Sequence, residues 1–135
     1  MITVLGRKAD LPAQFRILVL AILLAILGCS TQSADQFEDS ARAKYILVTA
    51  LDAWRAGKTK SLTTRNPPIR FADDDQIAGT ELVDYEFEDE SAPIQPFQNV
   101  TVILSLKDKQ GQTTQKNARY QIGVDPVLTV LRSDN

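Results

Sequence analysis

The chain has 135 residues, with 15 basic against 17 acidic side chains for a net charge of −2, one cysteine and no histidine. That length suffices for one domain with a modest core. Without histidine, serine-histidine and cysteine-histidine nucleophile systems and nearly all zinc and haem sites are excluded, and a single cysteine allows no internal disulfide.

The first feature along the chain is an uncharged apolar run, Ile17 to Gly28, that ends at Cys29. Spanning a hydrocarbon core takes about twenty apolar residues, so this twelve-residue run fits a signal h-region rather than a membrane span. Arg7, Lys8 and Arg16, against Asp10 alone, make the preceding segment positive, as an export signal requires. The residues Ile26, Leu27, Gly28 and Cys29 resemble the lipobox of bacterial lipoproteins. The resemblance implies cleavage between Gly28 and Cys29, a diacylglycerol on the Cys29 thiol, and a domain held on the periplasmic or extracellular side of a membrane. In a two-membrane cell, Ser30 would permit sorting to the outer membrane. The expected organisation is therefore a signal peptide at 1–28, a lipidated tether at 29–34 and one domain at 35–135.

From Cys29 onward the chain carries 12 basic and 16 acidic residues, a net charge of −4. This argues against a nucleic-acid partner, which needs a basic surface to displace counterions. From about Asp35 to Ala56 the spacing predicts an amphipathic helix, with Phe37, Ala41, Tyr45, Val48, Leu51 and Trp54 on one stripe. Asp35 and Glu38 would favour its start, and Gly57 with Lys58 and Lys60 its end. Trp54 on that stripe reads as core; Asp52 beside it reads as solvated surface. Pro67 and Pro68 bar a helix, and Ile69 to Phe71 is strand-like. The run Asp73, Asp74, Asp75 lacks the spacing and central glycine of a calcium loop and reads as a solvated loop, so no metal site is expected.

The remainder alternates as strands do. Val83, Tyr85 and Phe87 should face inward and Asp84, Glu86 and Glu88 outward. The acids Glu86, Glu88, Asp89 and Glu90 read as an exposed, solubilising cluster that could also dock a basic partner. Val100, Val102, Leu104 and Leu106 share one face, with Thr101, Ile103 and Ser105 on the other. A polar hairpin at 107–112 leads to a return strand with Ala118, Tyr120, Ile122 and Val124 in alternation, and a last strand covers Val127 to Leu131 after a bend at Pro126.

These elements predict an α+β domain in which one long N-terminal amphipathic helix packs on a curved antiparallel sheet of three to four strands. The order, and the stretch ALDAWRAGK at 50–58, resemble the cystatin-like and nuclear-transport-factor-2-like superfamily. A closer resemblance, through ALDAWRAGK, IRFADDDQIAGTELVDYEF at 69–87 and ARYQIGVDPVLTVLR at 118–132, is to exported planctomycete lipoproteins of no assigned function. Three functions stay open. The leading one is a non-catalytic binding or scaffolding domain in the cell envelope, with a membrane contact through the lipid and an envelope protein as partner. The second is a cone-shaped pocket for a small molecule, lined by Trp54, Tyr85, Phe87 and Tyr120. The third is an enzyme using a carboxylate such as Asp52 with a tyrosine, which would need a strongly perturbed carboxylate in a dry pocket. No cofactor is implied, and the sequence leaves the oligomeric state open.

Overall fold

The computed structural model describes residues 31–134, and the chain divides after Ala34, so the account below concerns the unit Asp35–Asn135. The signal segment, Gly28 and Cys29 lie outside the described residues. Among those described, no helix is long and apolar enough to cross a membrane.

Helix α1 covers Thr31–Arg55 and therefore starts four residues before the expected position, taking in part of the expected tether. Its end follows the glycine. Gly57 has φ +68, its N–H donates to the Trp54 carbonyl and the Lys58 N–H donates to that of Ala53, which is the Schellman closure that an L-residue at Gly57 would strain. The buried stripe matches the expected one at Leu51 and Trp54 and departs from it earlier in the helix. Ser40, Ala43, Ile46, Leu47, Ala50, Leu51 and Trp54 face the sheet, whereas Phe37 and Tyr45 are 78% and 60% exposed. Two apolar ladders overlap in this segment, and the one with two alanines wins because small residues let the helix approach the sheet while the aliphatic ones fill it. Tyr45 lies outside, its ring near the Arg65 guanidinium and its hydroxyl accepting from Arg65 Nη2 at 3.1 Å.

A short helix, α2 (Ser61–Thr64), leads into β1 (Ile69–Ala72), a second short helix α3 (Asp74–Ile77), and then β2 (Glu81–Phe87), β3 (Asn99–Lys107), β4 (Thr113–Gly123) and β5 (Leu128–Arg132). The sheet order is β1-β5-β4-β3-β2. The expected three or four antiparallel strands are thus five, in a mixed sheet. β2 to β5 pair antiparallel with their sequence neighbours, but β1 pairs parallel with β5, matching Ile69 to Leu128 and Phe71 to Val130. That pairing joins segments about sixty residues apart in sequence, which local alternation does not register.

The curled sheet and α1 enclose one core. Leu82, Val102, Leu104, Leu106, Ala118, Tyr120, Ile122, Leu128 and Val130 meet the buried stripe of α1. The expected inward faces of β3 and β4 are the observed ones. The β3–β4 turn is closed by Asp108, whose carboxylate accepts from the N–H groups of Gln110 and Gln112, with Gly111 at φ +84. β2 departs from plain alternation. Leu82 and Asp84 pair with consecutive residues of β3, so Val83 is the extra residue of a bulge and is 47% exposed instead of inward.

On the outer face Gly123 has no room for a side chain. A Cβ there would overlap Thr129 Oγ1 and lie 3.4 Å from both the Phe97 ring and the Val127 carbonyl, while the Gly123 N–H itself donates to Thr129 Oγ1. Gly123→Ala should therefore cost about 1–3 kcal/mol by overpacking, read as a lower urea midpoint. Adding Thr129→Ala should return part of that loss.

Candidate functional site

Three places on the domain gather chemistry-bearing side chains. The first is internal and follows from strand period. Residues 69, 71 and 73 continue one phase of β1, Tyr120 sits on the inner face of β4, and Arg132 continues the inward phase of Leu128 and Val130 on β5, directly opposite Tyr120. A carboxylate, a phenol and a guanidinium therefore converge on adjoining strands. Asp73, whose side chain is fully buried, caps α3 by accepting from the Gln76 N–H at 3.0 Å. Its other oxygen accepts from Tyr120 Oη at 2.6 Å and from Arg132 Nη1 at 2.8 Å. Arg132, with a side chain only 6% exposed, also pairs with Asp75 at 3.2 Å and with Asp134, and Lys116 closes on Asp75 at 3.0 Å from the surface.

The electrostatics of this cluster are those of a lock. Burial and the Asp73 carboxylate push the Tyr120 phenol far above its ordinary range, so it stays a donor. Burial works against the Arg132 charge, but Asp134 and Asp73 outweigh it and the guanidinium is held protonated. The expectation of a solvated Asp73–Asp75 loop is thus corrected. Only Asp74 is exposed; Asp75 is partly covered by its cations, and Asp73 is interior because the strand phase carries it there already paired.

The second place is the seam between α1 and β2. Tyr85 Oη donates to Asp52 Oδ1 at 2.9 Å, and Arg55 donates to the same oxygen at 2.9 Å while reaching Asp84 at 3.4 Å. Arg55 also lies 5.5 Å from the Tyr85 ring centre, Lys44 lies 5.3 Å from that of Phe87, and the two rings meet edge to face at 6.2 Å. Burial, reinforced by the hydrogen bond to Asp52, pushes Tyr85 up to about 12. A tyrosine raised above its unfolded value near 10 adds stability that is complete below pH 10 and disappears as pH rises from 10 to 12. Alkaline titration should therefore show a loss of stability in that window, and Tyr85→Phe should remove this part of it. Asp52, expected on a solvated surface, is half covered and ties α1 to the edge strand.

The third place is a groove of about 470 Å³ between the first half of α1 and the segment 90–95. Phe37, Ala41 and Ser40 form the helix wall, Ala92, Pro93 and Ile94 the opposite one. Lys44 and Glu90 face each other across it at 3.9 Å, both well exposed. Its lining carries one cation and one anion, so no net charge, and is otherwise mostly apolar and open to solvent; exposed apolar surface of this kind is where contacts form in general.

No family model matches this sequence, and no curated protein or solved structure matches it either. The assignment therefore rests on the site itself.

Of the four residues expected to line a pocket, Tyr85 and Phe87 are brought together at the seam. Trp54 and Tyr120 are engaged elsewhere: Trp54 donates from Nε1 to the Thr80 carbonyl at 2.9 Å and packs at 5.9 Å against Phe71, and Tyr120 is held by Asp73. Among the described residues, no group of acidic side chains is placed to hold a metal ion. The acids Glu86, Glu88, Asp89 and Glu90 lie on the exposed surface. The groove was visible in sequence only as Phe37 and Ala41 on an apolar helix face. Its second wall comes from an irregular segment whose fold no short-range pattern specifies.

Proposed function

We propose that the protein is an exported lipoprotein, anchored through a lipid on Cys29 to the periplasmic or extracellular face of a membrane, whose domain works by binding or scaffolding rather than by catalysis. The observation that carries the binding half is a contrast within the domain. Its buried ionisable groups, Asp73, Tyr120 and Arg132, are consumed by one another, whereas the groove beside α1 leaves apolar surface unoccupied. A catalytic acid or base has to be free to exchange a proton with substrate, and these are not. The Asp52–Tyr85 pair supports the same reading, because a phenol raised to about 12 and a carboxylate already bonded to Arg55 act as a tether.

The anchoring half rests on the apolar run and on Ile26–Cys29. We read the helix-wrapped sheet as a variant of the cystatin-like and nuclear-transport-factor-2-like plan, supported by the order of one helix followed by antiparallel strands, with β1 added in parallel at the edge. Two measurements test the proposal. The intact mass of the detergent-extracted protein should correspond to a chain starting at Cys29 plus diacylglycerol, and Cys29→Ser should leave the membrane fraction. A photo-crosslinking residue at Ala41, in the groove, should trap a protein partner, while one at Gln115 on the outer sheet face should not. Equal trapping from both positions, or from neither, would refute the binding half.

A further inference from the structure

We propose that the groove between α1 and segment 90–95 is the surface through which two copies of this chain pair, the Phe37 ring of each seated in the groove of the other. The inference rests on the reading of this groove as the binding surface and names its occupant.

The argument begins with Phe37. Among the described residues it is the most exposed large apolar side chain, at 78%, and it stands on the wall of an apolar groove. A protruding ring and a receptive groove on one face make a self-complementary patch, the requirement for a two-fold interface in which residue i meets j and j meets i. Charge points the same way. The lining holds one cation, Lys44, and one anion, Glu90, with the rest uncharged. A strongly basic partner would be opposed by Lys44 and a strongly acidic one by Glu90. A second copy brings the same pair, so Lys44 of each can meet Glu90 of the other, while the exposed acids Asp35, Glu38 and Asp39 beside Phe37 stay solvated, where water and salt screen their repulsion. Within one copy the Lys44–Glu90 contact is long and solvated, so exchanging it across the interface forfeits little. Aromatic anchors in desolvated grooves dominate interface energies, which gives Phe37 the central role.

The test uses full-length protein carrying two different tags, co-expressed and extracted in mild detergent. Wild-type copies should co-purify. Phe37→Ser should weaken pairing by at least about tenfold, with unchanged circular dichroism because the side chain is exposed. Lys44→Glu in both copies places four acids at the contact, and Glu90→Lys in both places four cations, so each should abolish pairing. Lys44→Glu in one copy with Glu90→Lys in the other restores both cross-copy pairs, and co-purification should return. An internal Lys44–Glu90 contact could not produce that rescue. Wild-type copies that never co-purify, or a mixed pair no better than either variant alone, would overturn the proposal. If at the same time a crosslinker at Ala41 traps a different protein, the second-copy occupant is wrong and the groove remains a binding surface.

Discussion

Asp73→Ala should lower the unfolding free energy by about 3–5 kcal/mol, because it takes from a buried guanidinium its one fully buried carboxylate partner. Three groups lose an acceptor at once: Arg132 Nη1, Tyr120 Oη and the Gln76 N–H that opens α3. Asp75 and Asp134 still contact Arg132, which keeps the loss within that range. Urea unfolding followed by the fluorescence of Trp54, the sole tryptophan, reads the effect. Replacing both partners is a sharper form of the experiment. Asp73→Leu with Arg132→Met removes the buried charges together, and the double variant should be less damaged than the sum of the singles by more than about 1 kcal/mol. An Asp73→Ala variant within about 0.5 kcal/mol of wild type, the usual range of surface changes, would mean that the cluster is not the lock its geometry describes.

The same residues show where sequence reasoning reaches and where it stops. Val102, Leu104 and Leu106 on β3 and Ala118, Tyr120 and Ile122 on β4 were legible because alternation over nine and eleven residues fixes the inward face, and Asp108 with Gly111 fixes the turn between them. Helix α1 was legible as a helix but not in its rotation, since Tyr45 and Ile46 both belong to plausible three-and-four ladders and the sheet decides between them. Val83 was lost to a bulge, which shifts the phase of β2 by one residue. Asp73 was hidden for a different reason. Three adjacent acids suggest solvent, yet carrying the phase of Ile69 and Phe71 one step further, and that of Leu128 and Val130 one step to Arg132, brings opposite charges to the same inner face. What the alternation lacked was the parallel pairing of β1 with β5 that makes them neighbours. The groove was less legible still, because one of its walls has no regular structure.

Trp54→Ala should cost about 3–5 kcal/mol, the range for deleting a large buried aromatic side chain. Trp54 is 5% exposed at the last turn of α1, and its side chain joins that helix to two other parts of the fold. Its ring packs against Phe71 of β1, and its Nε1 donates to the Thr80 carbonyl just ahead of β2. Loss of the ring would open a cavity at the point where α1, β1 and the α3–β2 turn meet, and would leave the Thr80 carbonyl without that donor. Trp54→Phe separates the two contributions: it keeps much of the packing and loses the hydrogen bond, so it should cost about 1–2 kcal/mol. Since both variants remove the fluorophore, urea unfolding by circular dichroism is the appropriate measurement. If Trp54→Ala were no worse than Trp54→Phe, the ring would not be filling the core, and the end of α1 would be held chiefly by the seam of Asp52, Arg55 and Tyr85. Combining Trp54→Phe with Tyr85→Phe would then decide the matter, because two independent attachments of the same helix end add in their costs, whereas one attachment seen twice does not.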